Sequence, residues 1–208
     1  MAASRRLPLY RRQHGGHLTQ IDELLARLAA ADLASAEGAL VRLTLQGART
    51  IEPILAAFPQ ASEAARSRML RILERVPDRR SLALLNRTAG DGSSGLRRLA
   101  VRALGALPAR HTLPTLLQLL SREAEPEVRA EIVSILSRQA SAESPETLEP
   151  VLEILFSQQE AGVVRRAALT SLAGLKPRQS RQLLEKLAAG ADDRLGRDIR
   201  RLLDAYPA

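Results

Sequence analysis

The chain has 208 residues, of which 45% are apolar and only 2% aromatic, and its formal net charge is +8 at pH 7. Because it contains no cysteine, disulfides, thiolate zinc sites and cysteine nucleophiles are excluded. No apolar run approaches the roughly 18–20 residues of a membrane-spanning helix, and no apolar segment follows the basic start, so we expect no membrane span, no secretory signal and a cytoplasmic location.

Residues 1–18 are the first predicted segment, a basic N-terminal arm. Residues 1–20 hold four arginines and no acidic residue, whereas the other 188 residues hold 27 basic and 23 acidic ones. Two interpretations stay open: a solubilising end, or an arm that orders on an acidic protein or on nucleic acid. The arginines concerned are Arg5, Arg6, Arg11 and Arg12.

A pattern that repeats every 31 to 36 residues dominates the rest of the chain. In each copy, apolar residues recur at the first position and at four, five and eight positions beyond it, which at about 100° per residue makes the buried stripe of an amphipathic helix. Ala and Leu supply most of the apolar residues and favour helix. The copies begin at Ala65, Leu96, Val128 and Val164, and a weaker copy begins at Leu195.

A second apolar pattern, with spacings of three, four and seven, precedes these stripes and begins at Ile51, Leu113 and Leu148. The repeating unit is therefore a pair of helices, each too short to be stable alone in water. Stacking on neighbouring pairs would bury both helices, which is the logic of a solenoid.

Threonine followed closely by proline marks the start of three of the first helices. We interpret the threonines as helix caps and the prolines as residues of the first turn, where a missing N–H costs little. The residues are Thr50 and Pro53, Thr112 and Pro114, and Thr147 and Pro150.

The segments TLPTLLQLLSREAEPEVRAEIVSIL (112–136) and LRRLAVRALGAL (96–107) resemble HEAT repeats, and among them the short repeats of phycobilin-lyase type. The shared pattern is an acidic or proline turn, then Val-Arg, then Ala and Leu at helical spacing. The resemblance covers about residues 48–205 and implies an all-α fold, a right-handed α-solenoid or HEAT-like superhelix of about five to six helix pairs. We expect a single domain over 19–208, with a divergent N-terminal cap at 19–46 and repeats at 48–77, 78–108, 109–144, 145–177 and 178–208.

An arginine follows the first apolar position of four copies, namely Arg66, Arg97, Arg129 and Arg165. This position lies within the apolar arc, so the stem should pack between repeats while the guanidinium meets a carboxylate or carbonyl of a turn. Upstream carboxylates that could accept are Glu63, Glu125, Glu127 and Asp193. The resemblance to HEAT repeats implies a structural ladder, and phosphate binding is the alternative.

A further set of arginines lies opposite the apolar stripe: Arg71, Arg98, Arg102, Arg166 and Arg201. The resemblance implies that the second helices line a concave, ligand-facing wall. A basic wall suits an acidic protein segment, or a nucleic-acid backbone bound in a salt-sensitive way. Because Glu74, Glu131 and Asp198 lie nearby, a merely solvated face is the third interpretation.

The sequence predicts no catalytic, cofactor or metal site. The glycine-rich segment AGDGSSGL (89–96) lacks the lysine and spacing of a P-loop and is interpreted as a long turn with Ser94 as a helix cap. His14 and His17 have no third ligand near them, and His111 is placed in a turn between repeats.

Our functional prediction is a non-enzymatic protein–protein interaction scaffold, adaptor or assembly subunit whose partner is a protein with an acidic surface or segment. The alternative is nonspecific nucleic-acid binding through the same arginines. The resemblance leaves two remote alternatives, since phycobilin lyases and alkylpurine DNA glycosylases use HEAT-like scaffolds. The glycosylases depend on aromatic side chains around a flipped base, and this chain has no tryptophan.

Overall fold

A computed structural model of the protein describes residues 20–30, 32–143 and 149–173, together with single positions between 181 and 204. Throughout this part of the chain the regular secondary structure is helical, and the predicted all-α fold class is confirmed. None of the described helices is both long enough and apolar enough to cross a bilayer. The predicted arm at 1–18 and most of the last predicted repeat lie outside the described residues.

The described residues form ten α-helices arranged as five consecutive pairs. They are α1 Gln20–Arg27, α2 Leu33–Leu45, α3 Ile51–Ala57, α4 Glu63–Arg75, α5 Leu82–Asp91, α6 Ser94–Gly105, α7 Ala109–Arg122, α8 Pro126–Glu143, α9 Glu149–Phe156 and α10 Gly162–Ala173. The chain divides into two compact units, residues 1–107 with α1–α6 and residues 108–208 with α7–α10. The bounds predicted for a single domain and its repeats stay a prediction.

In the first unit the second helices of successive pairs pack side by side: α2 contacts α4, and α4 contacts α6. The first helix α5 packs against α6 of its own pair, and α1 packs against α2. The predicted stripe is buried as expected in α4 and α6. Its members there are Ala65, Met69, Leu70, Leu73, Leu96, Ala100, Val101 and Leu104.

In the second unit α8 packs against α7 and α10, and α10 also packs against α9. The stripe of α8 is buried, as are the first two stripe residues of α10, Val164 and Ala168. The expectation for Leu169 is wrong, because this stripe residue of α10 is exposed.

The turn between α5 and α6 is shorter than the glycine-rich segment suggested. Helix α5 continues to Asp91 and α6 begins at Ser94, so only Gly92 and Ser93 separate them. The cap of α6 is Ser93, whose hydroxyl accepts from the N–H of Leu96 at 3.5 Å, so the assignment of Ser94 as the cap is wrong. Serine one position earlier satisfies the free amide of the first turn.

The threonine caps are also corrected. The Thr50 hydroxyl donates to the carbonyl of Gly47 at 2.8 Å and caps no amide of α3. Gly47 has φ +60°, a left-handed conformation that suits glycine at this helix end. Thr147 lies outside the described residues.

Helix α7 starts three residues before Thr112, so this threonine is interior, and Pro114 lies inside the helix instead of in its first turn. Pro108 precedes the first residue of α7 and fits this start because its φ is fixed near the helical value. The Thr112 hydroxyl donates to the Gln139 side-chain oxygen at 3.1 Å, a buried bond that joins α7 to α8.

We predict opposite changes in the free energy of unfolding when two glycines, Gly38 and Gly92, are replaced by alanine. A Cβ at Gly38, in the middle of α2, would meet nothing within 4 Å, so Gly38→Ala should stabilise the protein by about 0.5–1 kcal/mol through helix propensity. A Cβ at Gly92 would lie 2.7 Å from the carbonyl oxygen of Thr88, so Gly92→Ala must displace backbone and should destabilise. Urea unfolding of both variants checks this, and shifts of the same sign would contradict it.

Candidate protein-binding surface

Arg66 fastens the start of α4 to the end of the preceding first helix. Its Nε donates to the carbonyl of Phe58 at 3.0 Å, and its Nη2 donates to the carbonyl of Pro59 at 2.6 Å. The guanidinium carbon also lies 5.6 Å from the centre of the Phe58 ring, in cation–π range. Carbonyls at a helix end lack partners within the helix, and the arginine supplies one.

The same kind of bond recurs in the next two pairs. Arg97 Nη1 donates to the carbonyl of Gly92 at 3.0 Å. Arg129 Nη1 donates to the carbonyls of Leu120 at 2.7 Å and Glu123 at 3.0 Å. Three of the four arginines predicted as a structural ladder therefore bridge from a second helix to the end of the first helix before it.

Arg129 also binds a carboxylate, but this carboxylate belongs to Glu160, which lies after it in the chain and not before it as predicted. Its Nε is 3.1 Å from Glu160 Oε1, and its Nη2 bonds Glu160 Oε2, which gives a bidentate pair. The Arg129 side chain is 19% exposed and that of Glu160 is 14% exposed. This pair ties α8 to the turn before α10.

Two of the predicted ladder contacts differ from the expectation. Glu63 does not meet Arg66, because its Oε1 accepts from the Ser93 hydroxyl at 2.5 Å and so joins the starts of α4 and α6. Arg165 is exposed, and among the described residues its side chain makes no hydrogen bond or ion pair. Asp193 lies outside the described residues.

Two arginines predicted to face a ligand are engaged within the first unit. Arg71 on α4 donates to Glu37 on α2 at 2.9 Å. Arg102 on α6 donates to one carboxylate oxygen of Glu74 on α4 through Nε at 3.1 Å and Nη2 at 2.7 Å. These ion pairs show that the outward sides of α2, α4 and α6 adjoin one another.

The same outward sides carry two further exposed arginines. Arg98 lies one turn before Arg102 on α6, and Arg75, which the sequence analysis did not single out, lies one turn after Arg71 on α4. No described acceptor lies within bonding distance of Arg75 or Arg98. We call Arg71, Arg75, Arg98 and Arg102 the arginine face; with Glu37 and Glu74 it keeps a surplus of positive charge.

The remaining predicted surface arginines are not part of this group. Arg166 is exposed on α10 of the second unit. Arg201 is exposed and has an interaction partner, and it belongs to the singly described positions. Arg5, Arg6, Arg11 and Arg12 lie outside the described residues.

A second cluster, also missed in the sequence, surrounds Asp78 between α4 and α5. Arg80 donates to both carboxylate oxygens, with Nε 3.0 Å from Oδ1 and Nη2 2.7 Å from Oδ2. The Arg80 backbone N–H adds a bond of 2.9 Å. Chiefly through the Arg80 guanidinium, and then through this amide, the pKa of Asp78 falls from 3.8 to about 2.

Arg80 extends this cluster to the preceding pair. Its Nη1 lies 3.4 Å from Glu52 Oε1 on α3, and its Nη2 lies 3.2 Å from the carbonyl of Ala48. The arrangement fastens the 3-10 turn at Arg79–Ser81 to α3. The Asp-Arg-Arg run after Pro77 is a sequence signal for a local ion pair. The contacts of Arg80 with Glu52 and Ala48 span about 30 residues, so no local pattern reveals them.

Within the described part of the chain, no group of three or more His, Asp or Glu side chains is arranged to hold a metal ion. His111, which the sequence analysis placed in a turn, is the third residue of α7. His14 and His17 lie outside the described residues.

Comparisons with known proteins give matches to helical-repeat proteins. The family of HEAT repeats matches residues 51–137 and 113–203. A chain in the complex of CpcE and CpcF of phycocyanin lyase from Nostoc sp. PCC7120 is similar, with a TM-score of 0.63 and 24% identity over 73% of this chain and 96% of that chain. None of the curated proteins matches.

Two designed armadillo repeat proteins also match. YIII(Dq)4CqI has a TM-score of 0.46 and 16% identity over 89% of this chain and 99% of that chain. YIII(Dq.V1)4CPAF, in complex with the peptide (KR)4, has a TM-score of 0.45 and 17% identity over 91% of this chain and 100% of that chain.

The lowered pKa of Asp78 predicts how the free energy of unfolding depends on pH. A depressed carboxyl pKa stabilises the fold above the ordinary value of 3.8, and this contribution is lost as the pH falls towards 2. The difference in unfolding free energy between the wild type and Asp78→Asn should therefore be constant near neutral pH and shrink between pH 3.8 and 2. Denaturant unfolding followed by circular dichroism measures it.

In an Arg80→Gln background the same Asp78→Asn substitution should lose most of this pH dependence, because the guanidinium that lowers the pKa is gone. An undiminished pH dependence in that background would contradict the assignment.

The Arg129–Glu160 pair should contribute more to the free energy of unfolding than the exposed ion pairs do. Glu160→Gln leaves a largely buried guanidinium without its carboxylate and should destabilise the second unit by about 1–3 kcal/mol. Glu74→Gln is the matched control, because its more exposed pair with Arg102 should cost less than about 1 kcal/mol. Hydrogen exchange of amides in α8 and α10, against those in α4 and α6, measures the two effects, and equal effects would refute the ranking.

Proposed function

Because the chain belongs to the HEAT-repeat family, as its sequence predicted, we propose that it is a non-enzymatic scaffold that binds an acidic segment of another protein on its arginine face. The mechanism is presentation of a stable charged surface, with no chemical step. The N-terminal arm, through Arg5, Arg6, Arg11 and Arg12, would add positive charge to the same interaction.

The observation that carries the proposal is that the arginines of the first unit differ in their contacts: two form ion pairs within the unit and two remain exposed. Arg71 and Arg102 form ion pairs that join neighbouring helices. Arg75 and Arg98 are exposed on the same helices. A partner can therefore pair with Arg75 and Arg98 without breaking the contacts that hold the helices side by side.

The charge of the face favours an acidic partner for a physical reason. Complementary charges steer two proteins together and raise their association rate, and a misplaced like charge costs several kcal/mol. An arginine guanidinium presents a planar fork of donors that matches a carboxylate. Exposed Arg75 and Arg98 are thus suited to glutamate or aspartate side chains of a partner.

Charge reversal on the face tests the proposal. Arg75→Glu combined with Arg98→Glu should reduce the recovery of bound partner proteins about tenfold, because attraction is replaced by repulsion. Arg87→Glu, at another exposed arginine, on α5, is the matched control and should change nothing. Native affinity purification with quantitative mass spectrometry, in the presence of nuclease, provides the measurement.

Two results of this experiment would contradict the proposal. The first is full recovery of every partner by the doubly reversed variant. The second is loss of all partners on nuclease treatment, with binding to DNA that weakens steeply as salt rises, since this would assign the arginines to phosphate contacts. Removal of residues 1–18 tests the arm separately and should weaken, but not abolish, binding.

A further inference from the structure

Helix α2 carries an exposed apolar strip that the scaffold itself does not use. Leu33 is 63% exposed, Val41 48% and Leu45 81%. Ala34 and Gly38 lie between them and are also exposed. At about 100° per residue these five positions fall within an arc of about 140° on one side of the helix. We call them the apolar strip.

The other side of α2 is apolar as well. Ala36, Ala39, Leu40 and Leu43 are buried against the rest of the unit. A surface helix ordinarily carries charged and polar residues on the side away from the core, whereas the exposed arc of α2 has Glu37 as its single charged residue. The apolar strip therefore has the composition of a contact surface.

The apolar strip adjoins the arginine face. Glu37 lies within the same arc, between Leu33 and Val41, and its carboxylate accepts from Arg71 on α4. The next ion pair, between Glu74 and Arg102, continues the surface to α6. Arg42 is exposed just beyond the Gly38 side of the strip. The strip and the arginine face thus form one surface, apolar on α2 and basic on α4 and α6.

We infer that the apolar strip anchors the partner proposed above, and that this partner is an amphipathic segment with large apolar side chains one helical turn apart, next to acidic residues. The inference rests on the proposed function and gives the partner a second chemical requirement. Apolar side chains on Val41 and Leu45 would supply burial, and carboxylates on Arg75 and Arg98 would fix the direction in which the segment lies.

The positive charge of this chain argues against its own segments, or a second copy of it, as the partner that covers the apolar strip. A second copy would bring its own net charge of +8 to a basic surface, which is unfavourable. Residues 1–19 carry four arginines and no acidic residue, so they too would add positive charge beside a basic surface. An acidic segment from another protein satisfies both the apolar and the basic parts.

Selection from a random peptide-display library on the full-length protein tests the inference. The recovered peptides should combine two or more large apolar residues, three or four positions apart, with acidic residues. One recovered peptide is then synthesised in three forms: the parent, a form with its apolar residues replaced by serine, and a form with its acidic residues replaced by their amides.

Fluorescence polarisation with these peptides gives the expected pattern. Val41→Ser with Leu45→Ser should weaken the parent peptide about tenfold or more and leave the serine form unaffected. Arg75→Glu with Arg98→Glu should weaken the parent but not the amide form. Leu169→Ser, at a residue of α10 that is 48% exposed, is the matched control and should bind like the wild type.

The outcomes separate this inference from the proposed function. If the strip variant binds the parent peptide as the wild type does while the charge-reversed variant does not, the anchor is wrong and the arginine face stands. If neither variant loses affinity, or no peptide is recovered, both fail. Self-association of the wild type that the strip variant lacks, or tighter peptide binding after removal of residues 1–18, would assign the strip to this chain and overturn the inference.

Discussion

The constraint on which this structure depends is that nearly all of its described helices are too short to be stable alone. The first helices α1, α3 and α9 have eight, seven and eight residues, and the longest described helix, α8, has 18. Isolated helices shorter than about 12–15 residues are marginal in water, so these short helices are maintained by burial against their neighbours. Stability in such a chain accumulates from contacts between adjacent pairs, as expected of repeat proteins.

Arginine supplies the polar complement to this burial. At the position after the first stripe residue it bridges to carbonyls at the end of the preceding helix, as Arg66 and Arg129 do. On the outward side it joins second helices, as Arg71 and Arg102 do. The charge available to a partner is consequently smaller than the count of arginines suggests, and it is concentrated at positions that these bridges leave open.

The sequence predicted what depends on local periodicity and missed what depends on distant neighbours. The stripe of α4 and α6 follows from spacing alone, and it is buried as predicted. Arg71 was predicted to face outward, but its partner Glu37 lies 34 positions away, and no local pattern reveals that pair. Thr112 resembled a cap until its hydroxyl proved to bind Gln139 on α8. The apolar strip escaped notice because only tertiary packing shows which side of α2 is covered.

Helix α4 bears Arg71, which binds Glu37 on the preceding second helix, α2, and Glu74, which binds Arg102 on the following second helix, α6. The two sides of this helix pair therefore carry opposite charges, so that one side of a copy is complementary to the other side of the next copy. Gene duplication of one helix pair would therefore supply a new contact between second helices in which arginine and glutamate are already matched. An acid–base polarity of this kind lets an array lengthen by copying, and it selects against insertion of a pair in the reversed orientation, where like charges would meet.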